Sequence, residues 1–258
     1  SGNGNDVTVV GATWVDDPER GGVMEFAGEA YLEAADSDSL SITGDLTVAA
    51  WINVTDYSSW RGIVGKTSNN LPAPYDLYLI QGGDGRVQFY SGDGQGSLAA
   101  LASESAPAEG VWQHIVITLE EGAVTHYLNG ELNGEGSVDA TAGDADGTFR
   151  IGNRADLVTQ FLGRMDDVIL LNRAVTAEEA LDLMAGGFGS PQDPGGGGDP
   201  PANFVITEVQ TGAGGNIRVN VVSEPNKTYV AEFSTNLIDW EITVDDVASE
   251  GEVTVIRQ

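Results

Sequence analysis

The chain has 258 residues, 41% of them hydrophobic, with 35 glycines, nine prolines and no cysteine. Forty acidic residues against eleven basic ones leave a net charge of -29, which repels polyphosphate backbones and anionic lipid surfaces and argues against nucleic-acid binding. Without cysteine there is no disulfide, thiolate nucleophile, cysteinyl zinc site or iron–sulfur cluster, and no apolar run approaches the ~20 residues that span a bilayer.

In chain order, the first clear element is Leu46-Thr-Val-Ala-Ala-Trp-Ile-Asn-Val54. Leu46, Val48, Ala50, Ile52 and Val54 share one face by period two, and Trp51 lies on the other. Shorter alternating runs follow at Tyr75–Ile80, Arg86–Tyr90, Trp112–Leu119 and Ala123–Leu128. Between them stand Gly82-Gly83-Asp84-Gly85, Gly92-Asp93-Gly94, Glu120-Glu121-Gly122 and Asn129-Gly130. The last is a hairpin signal, because both central positions of a type I′ turn require positive φ. Many short strands separated by turns predict antiparallel sheets packed face to face. One helix is predicted at Thr176-Ala-Glu-Glu179, a capping box with Leu181 and Met184 on one side and Gly186-Gly187 as the stop.

Ser190-Pro-Gln-Asp-Pro-Gly-Gly-Gly-Gly-Asp-Pro-Pro201 has no side chain able to join a core and reads as a linker. It divides the chain into residues 1–188, a Gly/Pro linker over 189–203, and a small β module over 204–258. Strands are predicted in the small module at Asn216–Val222, Thr228–Phe233 and Val253–Ile256.

Eight segments carry a family resemblance in order: Ser1-Gly-Asn-Gly-Asn5 with Val9–Trp14; Met24-Glu-Phe-Ala-Gly28 with Tyr31-Leu32; Leu46–Ile52; Gly62–Lys66; Gly110–Ile115; His126–Gly130; Phe149–Gly152; and Gly163–Val168 leading into Asn172–Glu179. They resemble the laminin-G-like, concanavalin A-like jelly-roll domains of bacterial cell-surface and polysaccharide-handling proteins. The resemblance implies an all-β fold, an antiparallel β-sandwich followed by a second, small β domain. The small module is similar to those near the C-termini of secreted bacterial proteins. Domains of this family usually begin one strand earlier, so either the chain has been cut within that region or a strand is supplied from elsewhere, such as a neighbouring subunit.

The same resemblance implies a structural calcium, held by Asn3 or Asn5, the Gly28 carbonyl and Asp166, in preference to Asp167. Calcium takes six to eight oxygen ligands, which suits Asp, Asn and Gly at loop rims. Asp166 has an alternative reading as the partner of Arg164 or Arg173. A weaker cluster, Asp139, Asp144 and Asp146, lacks the bidentate Glu of an EF-hand.

Glycoside hydrolases of this sandwich carry Glu-x-Asp-x-x-Glu on one strand, so that alternate carboxylates face the cleft. That spacing is absent, and neither His114 nor His126 neighbours a Gly-x-Ser-x-Gly elbow. No catalytic residue is predicted. Sugar binding needs aromatic faces with a few directed polar groups. Trp60 and Tyr57 of the Thr55–Arg61 loop, and Tyr75 after Pro72-Ala-Pro74, are the candidate stacking residues, unless they close over the core instead. Trp14, Trp51 and Trp112 fall on strand patterns and are expected to be buried.

These readings converge on a non-catalytic extracellular module, stabilised by calcium and serving adhesion, surface architecture or assembly. The alternative is a carbohydrate-binding module of a secreted polysaccharide-active protein. Its partners would be a protein or glycan at the cell exterior, or another copy joined by strand pairing, with no nucleic acid and no membrane insertion.

Overall fold

The computed structural model describes residues 5–68, 71–138, 142–143, 146–154 and 158–185, together with the backbone of five further strands beyond residue 204. The chain divides into two compact units, the second running Gly189–Gln258. Asn3, Asp139, Asp144, Gly186-Gly187 and the 189–203 linker lie outside the described residues.

The described residues of the first unit form fourteen strands and one helix. The first seven strands are β1 (Thr8–Val10), β2 (Thr13–Asp17), β3 (Gly21–Phe26), β4 (Tyr31–Ala34), β5 (Leu46–Val54), β6 (Arg61–Ser68) and β7 (Leu71–Leu79). The next seven are β8 (Val87–Gly92), β9 (Leu98–Ala102), β10 (Gln113–Glu120), β11 (Ala123–Leu128), β12 (Glu131–Ser137), β13 (Phe149–Ile151) and β14 (Gly163–Leu171), before helix α1 (Ala177–Met184). One sheet has the order β1-β4-β13-β6-β7-β8-β9 and the other β12-β11-β10-β5-β14-β3-β2. Neighbours within each run antiparallel, giving the sandwich that the turn-rich sequence predicts.

Period two decides which side chains meet between the sheets. On β5 the five alternate positions from Leu46 to Val54 are all buried, and they join Leu77, Leu79, Val87 and Phe89 of the facing sheet in one apolar cluster. Burial of each valine, leucine, isoleucine or phenylalanine among them contributes about 1.5–3 kcal/mol against leaving it in water. Trp51, on the opposite phase, points outward. The β11–β12 connection has Asn129 at φ 52° and Gly130 at φ 78°, the positive pair that a type I′ turn needs.

Helix α1 starts as its capping box predicts. Thr176 Oγ1 accepts from the Glu179 amide at 3.2 Å and Glu179 Oε2 accepts from the Thr176 amide at 2.8 Å. Its apolar side, Ala180 and Leu183, packs on Ala49, Val116 and Ile169 of the second sheet's outer face. That face is thereby covered over β5, β10 and β14.

Trp14 departs from expectation. It lies on β2, an edge strand with a neighbour on one side only, and is 70% exposed. Its ring rests on Gly22, where a Cβ would stand 2.4 Å from the indole. Alternation locates a side chain on a face but says nothing of how far the opposite sheet extends to cover it.

The second unit contains β15 (Val205–Thr211), β16 (Ile217–Val222), β17 (Thr228–Phe233), β18 (Glu241–Ala248) and β19 (Thr254–Arg257). They form a three-stranded sheet, β15-β16-β19, and a β17-β18 pair. β16, β17 and β19 answer to the three predicted strands, and β15 and β18 have no counterpart among them.

Candidate ligand-binding site

The outer face of the first sheet holds a pocket of about 240 Å³. On β7, Leu77 and Leu79 face the core, so Asp76 and Tyr78 face outward; on β8, Phe89 is inward and Gln88 and Tyr90 outward. Antiparallel register sets Tyr78 opposite Gln88 and Asp76 opposite Tyr90, which brings the two tyrosines together. Their rings meet edge to face with centroids 5.5 Å apart, and Trp60 meets Tyr78 in the same manner at 6.0 Å. Such geometry suits the aromatic quadrupole; Tyr78 forms the floor at 4% exposure, and the partly exposed Trp60 and Tyr90 supply the open ring surface.

Trp60 stands on a braced loop. Asp56 Oδ1 accepts from the Ser58 amide at 2.8 Å and from the Ser58 hydroxyl. Arg61, almost fully buried, donates to the Asp56 side chain and carbonyl and to the Gln160 carbonyl at 3.1 Å. The Ser58 hydrogen bonds first, and then Arg61, hold the Asp56 carboxyl down at about 2. The brace is therefore ionised and intact at any ordinary pH.

The opposite wall comes from the segment between β13 and β14. Asn153 Oδ1 accepts from the Arg154 amide at 2.8 Å and the Thr159 amide at 3.2 Å, and Thr159 lies against β6 through a 2.6 Å bond from the Gly62 amide to its carbonyl. A Cβ at Gly62 would stand 3.0 Å from Thr159 atoms, so glycine permits the close approach. Arg154 then reaches Tyr78: Nη1 donates to the phenol oxygen at 2.7 Å, and the guanidinium lies 5.4 Å from the ring centroid. The phenol donates in turn to Asp76 Oδ2. Burial first, then the adjacent Asp76 charge, pushes the Tyr78 phenol far above its usual range. Leu71, Pro72, Leu98 and Val158 complete the lining.

Of the three predicted stacking residues, only Trp60 reaches this pocket. Tyr57 is 6% exposed, its ring under Gly85 and its hydroxyl donating to the Pro107 carbonyl; burial, then the Glu109 charge, raises its phenol to about 12. Tyr75 is 1% exposed and donates to the Leu40 carbonyl at 2.8 Å. Both close over the core, the alternative left open for loop aromatics. Tyr78, Tyr90, Arg154 and Thr159 were not singled out by sequence. The signal for Tyr78 and Tyr90 was phase: each alternates with an inward aliphatic or Phe89.

The calcium donor set does not fit. Asn5 bonds the Ser37–Ser39 turn, donating to Ser39 Oγ at 2.9 Å and accepting from Ser37 Oγ at 2.8 Å. That turn lies beyond the Ala34 end of β4, whereas Gly28 precedes its Tyr31 end. Asp166 adjoins Met165, which pairs with Met24; Gly28 is four residues further along, beyond the Phe26 end of β3. Ligands to one calcium must all stand about 2.3–2.6 Å from it; among the described residues Asn5, Gly28 and Asp166 are not brought together, and Asn3 lies outside them.

Asp166 instead serves Arg20. Arg20 Nε donates to Asp166 at 2.9 Å and Nη2 to Asp167 at 2.7 Å, while the guanidinium lies 4.2 Å from the Trp51 ring centroid and 5.6 Å from that of Trp112. Neither Arg164 nor Arg173 is its ion-pair partner; they bond Asp17 with Glu25, and Glu179. Asp166→Ala is accordingly expected to destabilise by about 1.5–3 kcal/mol, the scale of a charge-assisted hydrogen bond. The same loss with excess calcium and with chelator, measured by thermal unfolding, is the expected result; a loss confined to calcium-loaded protein would contradict it.

The histidines serve packing. His114 is fully buried 5.2 Å from the Trp51 ring, and the His126 Nε2 lies 3.2 Å from the Leu101 carbonyl. Among the described residues no three His, Asp or Glu side chains gather as a metal-binding group.

The family profile described as the concanavalin A-like lectin/glucanases superfamily matches residues 26–180, more than half of the chain. The chain belongs to that superfamily. Solved structures similar to this concanavalin A-like chain include the botulinum neurotoxin serotype G binding domain, at 16% identity and a TM-score of 0.57, covering 72% of this chain and 47% of that one. The binding domain of Paraclostridial Mosquitocidal Protein 1 is similar at 15% identity and a TM-score of 0.56, over 99% and 66% of the two chains. Domain 4 of AbnA, a GH43 extracellular arabinanase from Geobacillus stearothermophilus solved with arabinotriose, matches at 18% identity and a TM-score of 0.53, over 69% and 87%. The chain spans about half the length of the botulinum domain. At these identities the likeness is one of fold alone.

Proposed function

We propose that the first unit is a non-catalytic carbohydrate-binding module that acts outside the cell. The observation that carries this reading is the pocket formed by Trp60, Tyr78, Tyr90 and Arg154: aromatic surface for the apolar face of a sugar ring, with a guanidinium for its oxygens. Support also comes from a domain of the same fold solved with arabinotriose and from a structure titled for botulinum neurotoxin type C interacting with two ganglioside molecules. The absent Glu-x-Asp-x-x-Glu spacing and the structural placement of both histidines argue for retention without turnover.

A glycan array probed with the intact chain tests the reading. Saturable binding of at least one saccharide is expected, weakened roughly tenfold or more by Trp60→Ala, a loss of about 1.4 kcal/mol. Trp60 is only half-buried and outside the main core, so unfolding should not account for that loss, and circular dichroism will check it. Failure of every saccharide to bind, or binding indifferent to the substitution, would reject the site.

A further inference from the structure

The pocket is chemically divided along β7. Tyr78, with Trp60, Arg154 and Thr159 gathered at it, lies six residues from Pro72, which belongs with Leu71 and Leu98. Leu98 and Val158 are 45% and 64% exposed. A single exposed aliphatic is ordinary, but here four aliphatic or prolyl side chains line one depression in a protein of net charge -29, where an unused apolar patch favours association. Sugar hydroxyls find no partner on such a wall, and burying them there without hydrogen bonds is unfavourable. The volume also sets a limit. About 240 Å³ lies below the ~300–1,000 Å³ of sites for drug-sized ligands, so one ring and a short appendage fill it.

We propose that the ligand is a sugar carrying a short apolar substituent, with the ring on Trp60, Tyr78 and Arg154 and the substituent against Leu71, Pro72 and Leu98. This rests on the carbohydrate-binding reading above and specifies the ligand class for the same site. An alkyl group at the anomeric carbon and an acyl ester on a ring hydroxyl share the chemistry that the aliphatic wall recognises.

Calorimetry of the intact chain with matched methyl and butyl glycosides of glucose, galactose, mannose and arabinose, and with O-butyryl esters of the methyl glycosides, tests the proposal. Each methylene removed from water is worth about 0.8 kcal/mol, close to fourfold, so three methylenes in a half-open pocket should tighten binding by about tenfold. Whichever of the butyl glycoside and butyryl ester shows this gain identifies the attachment point. Leu98→Ser should bring the butyl-to-methyl affinity ratio toward one. Equal affinity for methyl and butyl forms would overturn this proposal while leaving the carbohydrate reading intact, as would a butyl gain that Leu98→Ser does not reduce. If neither form binds for any sugar, both fall.

Discussion

Lowering the pH from 6.5 to 4 is expected to remove about 3 kcal/mol of folding stability for each of the two histidines of the sandwich, the energy of moving a titration from 6.5 to about 4. Both rings are buried and held neutral. Desolvation, then the Arg20 charge, lowers His114 to about 4, and desolvation lowers His126 to about 4 against a weaker opposing pull from the Leu101 carbonyl. The folded value lies below the unfolded one, so the stabilisation is complete above pH 6.5, declines as the unfolded chain takes up protons first, and is flat below about 4. Two such rings are a large share of an ordinary margin of about 5–15 kcal/mol. An opposing effect runs through the same range, because protonating part of the forty carboxylates relieves the repulsion of a -29 chain. Comparison with the His114→Leu, His126→Gln double variant separates the two, since repulsion is common to both proteins. Neither His114 ring nitrogen has a hydrogen-bond partner among the described residues, so leucine there leaves nothing unsatisfied. In urea titrations from pH 7 to 4 the double variant should lose markedly less stability than its parent. Parallel losses in the two would show that the imidazoles are not the acid-sensitive groups.

Gly163→Ala is expected to cost about 3 kcal/mol or more, combining backbone strain with overpacking. Gly163 opens β14 between β3 and β5, paired with Phe26 on one side and Val54 on the other. Its φ is 137°, and a Cβ would stand 2.0 Å from the Asn53 carbonyl oxygen and 3.0 Å from the Val54 Cα. Those atoms belong to a central strand's backbone and cannot swing away as a side-chain tip could. Gly28→Ala is the matched control. Gly28 also has positive φ, 66°, but a Cβ there meets nothing within 4 Å, so only the left-handed strain of about 1–2 kcal/mol remains. Similar denaturation midpoints for the two variants would disprove the close approach at Gly163.

Alternation made the sandwich legible, and the capping box and Asn129-Gly130 placed the helix and one hairpin. The site was less legible because loop position is a poor guide to exposure. Tyr75 follows a proline-rich stretch, yet it shares phase with Leu77 and Leu79 and points inward, while Tyr78, one residue past Leu77, points out. Arg20 and Asp166 are separated by 146 residues, and their pairing depends on β2, β3 and β14 lying side by side, which the spacing of acidic residues does not encode. The resemblance supplied the fold; of the calcium positions it implied, Asp166 pairs with Arg20 and Asn5 with the Ser37–Ser39 turn, contacts that no local motif announces.

The relay from Arg154 through Tyr78 to Asp76 fixes what this pocket can ask of a visitor. Tyr78 commits its only proton to Asp76 and takes one from Arg154, so it has none to offer a guest, and its very weak acidity keeps that arrangement unchanged across the range in which proteins operate. The guanidinium can only donate. On the carbohydrate-binding reading proposed above, a guest oxygen that meets it must present a lone pair, so the site would read ring ethers, carbonyls and hydroxyl oxygens by their acceptor side.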